Sequence, residues 1–191
     1  MFAQFHLLPS RSQTEFDPRL HPGSLEAMLY IVRHAHAVSE EEDSARPLSK
    51  RGREQANRLA RFLVAQDLFA PAEIWHSPLV RVRQTAEIFA SAMRTAAPLV
   101  ETPGMLPEDT PRLLAKRLAE RKASGGLAVV GHEPYLSALA TLLVFGSTSP
   151  AAFRLRKGSV LALDRATEAG SAGGERRWVV QWLVGPELQP D

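Results

Sequence analysis

Apolar residues recur along the chain in two alternating arrangements. Leu29, Tyr30, Ile31 and Val32 form a short continuous run of the kind found in strands buried on both faces. After Pro47, Ser49 offers an N-cap, and Ala56, Leu59, Ala60 and Leu63 keep the i, i+3, i+4, i+7 spacing of one buried helical stripe. Glu73 to His76 reads as a second strand. Ser77-Pro78 then supplies an N-cap and an N1 proline for a helix running to about Met93. A further helix is predicted over Thr110 to Arg121, ended by Gly125-Gly126 before a strand from Leu127 to Val130. Gly131 turns the chain, and Pro134 starts a helix that runs to about Val144. Val160 to Asp164 and Trp178 to Leu183 read as strands separated by the glycine-rich stretch Gly170 to Gly174, which predicts an antiparallel pair.

Strands alternating with helices predict an α/β three-layer sandwich, a mostly parallel sheet with helices on both faces. Ligands in such folds collect outside the carboxyl ends of the strands. Unusual polar residues fall at that edge in three places: Arg33-His34, Ser77 to Arg81, and Gly131-His132-Glu133. The length of 191 residues suits one domain, assigned to 28–191. Residues 1–27, with Pro9, Pro18, Pro22 and Gly23, are expected to form a flexible extension outside it. They lack the basic start and apolar run of a signal peptide, so a cytoplasmic, monomeric protein is expected. Apolar stretches such as Leu136 to Phe145 are too short to span a membrane, which needs about 20 residues.

Charge and cysteine usage narrow the chemistry. With 23 Lys+Arg against 21 Asp+Glu, the net charge of +2 argues against a nucleic-acid partner. Absence of cysteine removes disulfides, thiolate metal sites and cysteine nucleophiles; any covalent chemistry then runs through one of the six histidines, a Ser, Thr or Lys, or a carboxylate. Arg33 and His34 directly follow four apolar residues, so neither side chain joins the buried strand without a large desolvation cost. A lone histidine at a strand end is more often structural, and a lone arginine is usually a surface charge. Arg81 lies near the start of its helix, close to N–H groups that favour anions, whereas Arg83 points to another side and toward solvent. Two arginines and two histidines converging on one edge would be a costly cluster without an anion to neutralise it.

Four segments in order resemble the successive motifs of the histidine phosphatase superfamily: Tyr30-Ile31-Val32-Arg33-His34-Ala35, Arg46-Pro47-Leu48-Ser49-Lys50-Arg51-Gly52, Ser77-Pro78-Leu79-Val80-Arg81-Val82-Arg83-Gln84-Thr85-Ala86, and Val130-Gly131-His132-Glu133-Pro134. The short length and the Arg-Pro-Leu-Ser segment look most like its SixA-type phosphohistidine phosphatases. The resemblance implies a phosphoglycerate mutase-like fold. It makes His34 the catalytic nucleophile, with Arg33, Arg81 and His132 forming the phosphate-binding pocket. It implies neither metal nor cofactor, and a substrate that is a phosphorylated protein (phosphohistidine) or a small phosphoester. Ala35 stands where many members have Gly, and His36 follows where small polar or acidic residues are frequent, so the wall beside the nucleophile differs. The Thr and Asn that mutase-like relatives carry after their Arg-His-Gly are missing.

Glu108 and Glu133 are the two candidates for a general acid. Each has a structural alternative, Glu133 as a helix cap and Glu108 as a loop carboxylate near a helix N-terminus. A phosphohistidine with a protonated ring departs as neutral imidazole and needs no such acid, which favours that substrate over small phosphoesters. Two other readings compete. One is a metallohydrolase using His34, His36 and His132, although two arginines beside those ligands would repel a cation. The other is a non-catalytic module that recognises a phosphorylated partner. Glu40 to Asp43 reads as a solvated acidic loop.

Overall fold

The computed structural model describes residues 28–122, 124–166 and 177–186. The expected extension over residues 1–27 and the stretch Gly170 to Gly174 lie outside them. Ten elements follow in order: β1 (Leu29–Arg33), α1 (Lys50–Ala65), β2 (Pro71–His76), α2 (Val80–Ala92), β3 (Leu99–Glu101), α3 (Pro111–Glu120), β4 (Gly126–Gly131), α4 (Tyr135–Phe145), β5 (Val160–Ala166) and β6 (Arg177–Val184). The six strands form one sheet in the order β3-β2-β4-β1-β5-β6. Four of them, β3, β2, β4 and β1, run parallel, with Ile31 opposite Val129 and Ile74 opposite Ala128. β6 runs antiparallel to β5, as the sequence predicts, and β5 runs antiparallel to β1, which it does not.

The continuous apolar run of β1 serves two cores at once because successive side chains of a strand point to opposite faces. Tyr30 and Val32 join Ile74, Ala128, Val130, Val160 and Ala162 beneath the apolar stripes of α1 and α2. Leu29 and Ile31 join Leu127, Val129, Leu161 and Leu163 beneath α3 and α4. A sheet lined on both faces in this way is the middle layer of a three-layer α/β sandwich.

Several boundaries differ from expectation. Neither Ser77 nor Pro78 enters α2, whose N-cap position is taken by Leu79 without a side-chain cap bond. The Ser77 N–H instead reaches the Val130 carbonyl at 3.4 Å, so this residue still belongs to the sheet edge. Pro134 precedes α4, which starts at Tyr135. Arg33 is the last residue of β1, its backbone paired with Gly131, although its side chain leaves the core. The edge strand β3 was not foreseen; it has three residues and no buried side chain.

Ser49 does cap α1, its Oγ accepting from the Gly52 N–H at 3.1 Å, and its own N–H donates to the His36 carbonyl at 3.0 Å. Gly52 therefore sits directly against the loop after β1, where a Cβ would overlap the His36 carbonyl oxygen. Gly52→Ala gains about 1 kcal/mol in helix propensity but forces two backbone segments apart, an overpacking cost of about 1–3 kcal/mol or more. We expect a net loss of stability, read as a lower urea midpoint with an unchanged m-value.

Candidate active site

β1, β2 and β4 end side by side, and the loops leaving them carry the predicted residues to one edge of the sheet. The His34 N–H donates to the Gly131 carbonyl at 2.9 Å, which locks the first loop to the strand preceding His132. β5 begins opposite Val32, so the residues before it arrive at the same edge. There the Arg33 N–H donates to Ser159 O at 3.0 Å, and the Gly158 N–H lies 3.1 Å from both the Arg33 and His34 carbonyls.

His34 is buried, and its Nδ1 lies 2.7 Å from the Ala35 carbonyl. A carbonyl only accepts, so Nδ1 carries the proton and Nε2 keeps its lone pair. Burial is the largest influence on this ring and disfavours its charge. The Ala35 bond opposes that, and Arg81, Arg33 and His132 reinforce it, so the pKa is pushed down to about 3. The three cationic or ionisable side chains are thus near enough to act on this one imidazole.

Backbone holds the first of the cations. Arg33 Nη1 donates to Leu155 O at 2.6 Å, while its Nε is buried without a partner. Burial lowers the Arg33 pKa, and the Glu133 carboxylate partly opposes this. Arg81, on the first turn of α2, has its pKa lowered by burial and then by Arg46. Thr85 ties that turn to the nucleophile loop, donating to Arg81 O at 2.7 Å and accepting from the Ala35 N–H at 3.1 Å. His132 is 2 % exposed, and neither ring nitrogen makes a hydrogen bond of ordinary geometry, although the Leu106 and Met105 backbone lies close to the ring. Burial and then Arg81 lower its pKa, against the backbone of Leu106 and Met105 and the carboxylate of Glu108.

The other sequence candidates separate. Arg83 is exposed and pairs with Glu87 at 3.4 Å, as expected of a solvent residue. Glu133 Oε1 accepts from Ser137 Oγ at 2.7 Å, so its carboxylate is turned onto the first turn of α4. Glu108 is exposed but close enough to His132 to affect it. His36 Nδ1 lies 2.9 Å from Ser49 Oγ. His34, His36 and His132 do not form a metal-ligand set, and among the described residues no group of three or more His, Cys, Asp or Glu does. No described helix is long and apolar enough to cross a membrane.

Two further cations stand near this edge that the sequence reading did not single out. Lys157, in the turn before β5, has its pKa lowered by burial, then by Arg33, Arg46 and Arg81. Arg46 acts on both Lys157 and Arg81. Arg46 lay within a quoted motif, and Lys157-Gly158 precedes an apolar strand; these were the available signals.

A tetrahedral oxyanion suits this arrangement: fixed donors around a neutral imidazole nitrogen, at the carboxyl edge of a parallel sheet. Residues 29–106 match the family model for the histidine phosphatase superfamily (branch 1). An uncharacterized protein from Picosynechococcus sp. is 33% identical over 140 residues, which cover 71% of this chain and 83% of that protein. Among solved structures, the protein histidine phosphatase SixA complexed with tungstate superposes with a TM-score of 0.69 at 22% identity, covering 83% of this chain and 97% of that one. The alpha-ribazole phosphatase from Shigella flexneri gives 0.66 at 17% identity, covering 83% and 96%. The chain belongs to the histidine phosphatase superfamily, with a SixA-like, phosphoglycerate mutase-like fold. It is a phosphatase of that superfamily.

The depressed His34 pKa makes a stability prediction. An unfolded histidine titrates near 6.5 and the folded one at about 3. Between those values the unfolded chain binds a proton that the folded chain does not, so stability falls as pH drops from about 6.5 toward 3. His34→Asn should flatten that fall, seen as a smaller difference between urea midpoints at about pH 7.5 and 4.5.

Proposed function

We propose that the chain hydrolyses phosphohistidine on proteins through a covalent phosphohistidine at His34, without a metal. The observation that carries this is the neutral, buried imidazole whose Nδ1–H is fixed on Ala35 O, with Arg33, Arg81 and His132 around it. In the first step the Nε2 lone pair of His34 bonds to phosphorus, and the bond from phosphorus to the leaving nitrogen breaks. The departing ring already carries its proton and leaves as neutral imidazole. Water then attacks the phosphoryl group on His34, the bond from phosphorus to Nε2 breaks to regenerate the neutral imidazole, the water gives up a proton to solvent, and orthophosphate is released. Arg33 and Arg81 meet the phosphoryl oxygens, which carry most of the charge in the transition state. His132 adds a donor, and a bound dianion would favour its protonated form.

The carboxylates support phosphohistidine over alkyl phosphates. Glu133 is engaged by Ser137 and Glu108 is exposed, so neither is held ready to protonate a poor leaving group. The fold shared with a protein histidine phosphatase points the same way. A small phosphoester is the second reading, because the alpha-ribazole phosphatase superposes almost as well.

Brief reaction with a labelled phosphohistidine protein, followed by denaturation, should leave an acid-labile phosphoryl group on the wild type and none on His34→Ala. Wild type without label, yet binding the phosphoprotein, would instead indicate a recognition module. Arg81→Ala should lower kcat/KM by about 10²–10³-fold, the scale for one preorganised charged donor. Chelators should leave turnover unchanged. Glu108→Gln and Glu133→Gln should each alter phosphohistidine turnover by less than about three-fold, since the leaving ring brings its own proton. Faster turnover of small sugar phosphates than of a phosphohistidine protein would overturn the substrate assignment.

A further inference from the structure

Beyond the four residues that surround His34, the same edge carries a second set of positive charge. Lys157 immediately precedes Gly158, whose N–H lies 3.1 Å from the carbonyls of Arg33 and His34. The turn bearing Lys157 is thus stitched to the backbone of two pocket residues and cannot move independently of them. Arg46 reaches the edge from the other side. Its backbone has φ 49°, a left-handed conformation that costs a non-glycine residue about 1 kcal/mol or more. Three bonds hold it there: Arg46 N–H to Asp43 O at 2.8 Å, Val38 N–H to Pro47 O at 3.0 Å, and Arg46 Nε to Val38 O at 3.4 Å. The last draws the guanidinium back over the loop that follows His34.

Neither cation is neutralised. Among the described residues no ion pair involves Arg46 or Lys157. Four carboxylates stand nearby without an ion pair to either cation: Glu41, exposed beside Arg46; Asp43, whose Oδ1 accepts from the Ala45 N–H at 2.8 Å; Glu133, which acts on Arg33 while bound to Ser137; and Glu108, exposed beside His132. Lys157 meanwhile feels Arg33, Arg46 and Arg81 together, and His36 feels Lys157 and Arg51. One phosphoryl group already has Arg33, Arg81 and His132 as donors. An arginine and a lysine held without ion-pair partners beside other cations repel one another, and a second anion would offset that repulsion.

We propose that Lys157 and Arg46 form a second anion subsite on the rim of the phosphoryl pocket, which takes an acidic side chain flanking the phosphohistidine of the substrate protein. This deepens the function proposed above and rests on its reading of Arg33, His34, Arg81 and His132 as the phosphoryl pocket. The subsite lets the pocket discriminate among phosphohistidine proteins by the charge next to the modified residue.

Two phosphohistidine peptides that differ only by Glu or Gln beside the phosphohistidine test it. Wild type should turn over the Glu peptide with at least a five-fold higher kcat/KM. Lys157→Met should reduce that ratio to within two-fold, and Lys157→Arg should restore it, which separates charge from folding. No preference in wild type, or a preference that survives Lys157→Met, overturns the subsite. If wild type turns over neither peptide, the phosphatase reading fails and calorimetry decides the subsite. Pyrophosphate binding at least five-fold tighter than orthophosphate, with the difference lost in Lys157→Met, supports it; equal binding overturns it.

Discussion

Carbonyl dipoles, rather than carboxylates, hold the positive charge at the sheet edge. Arg33 rests on Leu155 O, Arg46 on Val38 O, and the His34 ring on Ala35 O. A carboxylate under either arginine would fix the side chain equally well but cancel its charge. A carbonyl orients it and leaves the charge available to an incoming anion. The repulsion that remains among these groups is part of the same arrangement. With burial, it keeps His34 neutral and so keeps a lone pair on its outward nitrogen.

That constraint explains why the loops are tied so thoroughly to the sheet. Charges that repel one another stay together only if the backbone carrying them is fixed. The Gly158 N–H on Arg33 O and His34 O, the His34 N–H on Gly131 O, and the Ser49 N–H on His36 O supply that fixity. Gln84 adds another tie, its side-chain oxygen accepting from the Leu48 N–H at 2.8 Å and so joining α2 to the segment that carries Arg46. None of these bonds lies within a regular element, yet they hold the site more directly than the helices do.

Much of this was legible in the sequence because it is local. The run Leu29 to Val32, the stripe Ala56 to Leu63 and the polar residues directly after each strand declare the layers and the edge without reference to distant residues. The failures have equally particular causes. Leu99 to Glu101 is too short, and too exposed at the sheet margin, to leave an alternation. Ser77-Pro78 carries the composition of a helix start, but the Ser77 N–H belongs to Val130 O, a partner more than fifty positions away. Lys157 reaches this edge only through the antiparallel pairing of β5 with β1, a tertiary choice that no local pattern encodes.

Thr85 has a consequence of another kind. Its hydroxyl gives a hydrogen to the Arg81 carbonyl and takes one from the Ala35 amide, so its orientation is fixed from both sides. The segment bearing the histidine and the helical turn bearing the arginine are thereby set at a distance measured by one oxygen atom. A displacement of about 1 Å between reacting groups can cost on the order of 10²-fold in rate. This threonine, with no path to the phosphoryl group itself, works as the gauge block of the pocket.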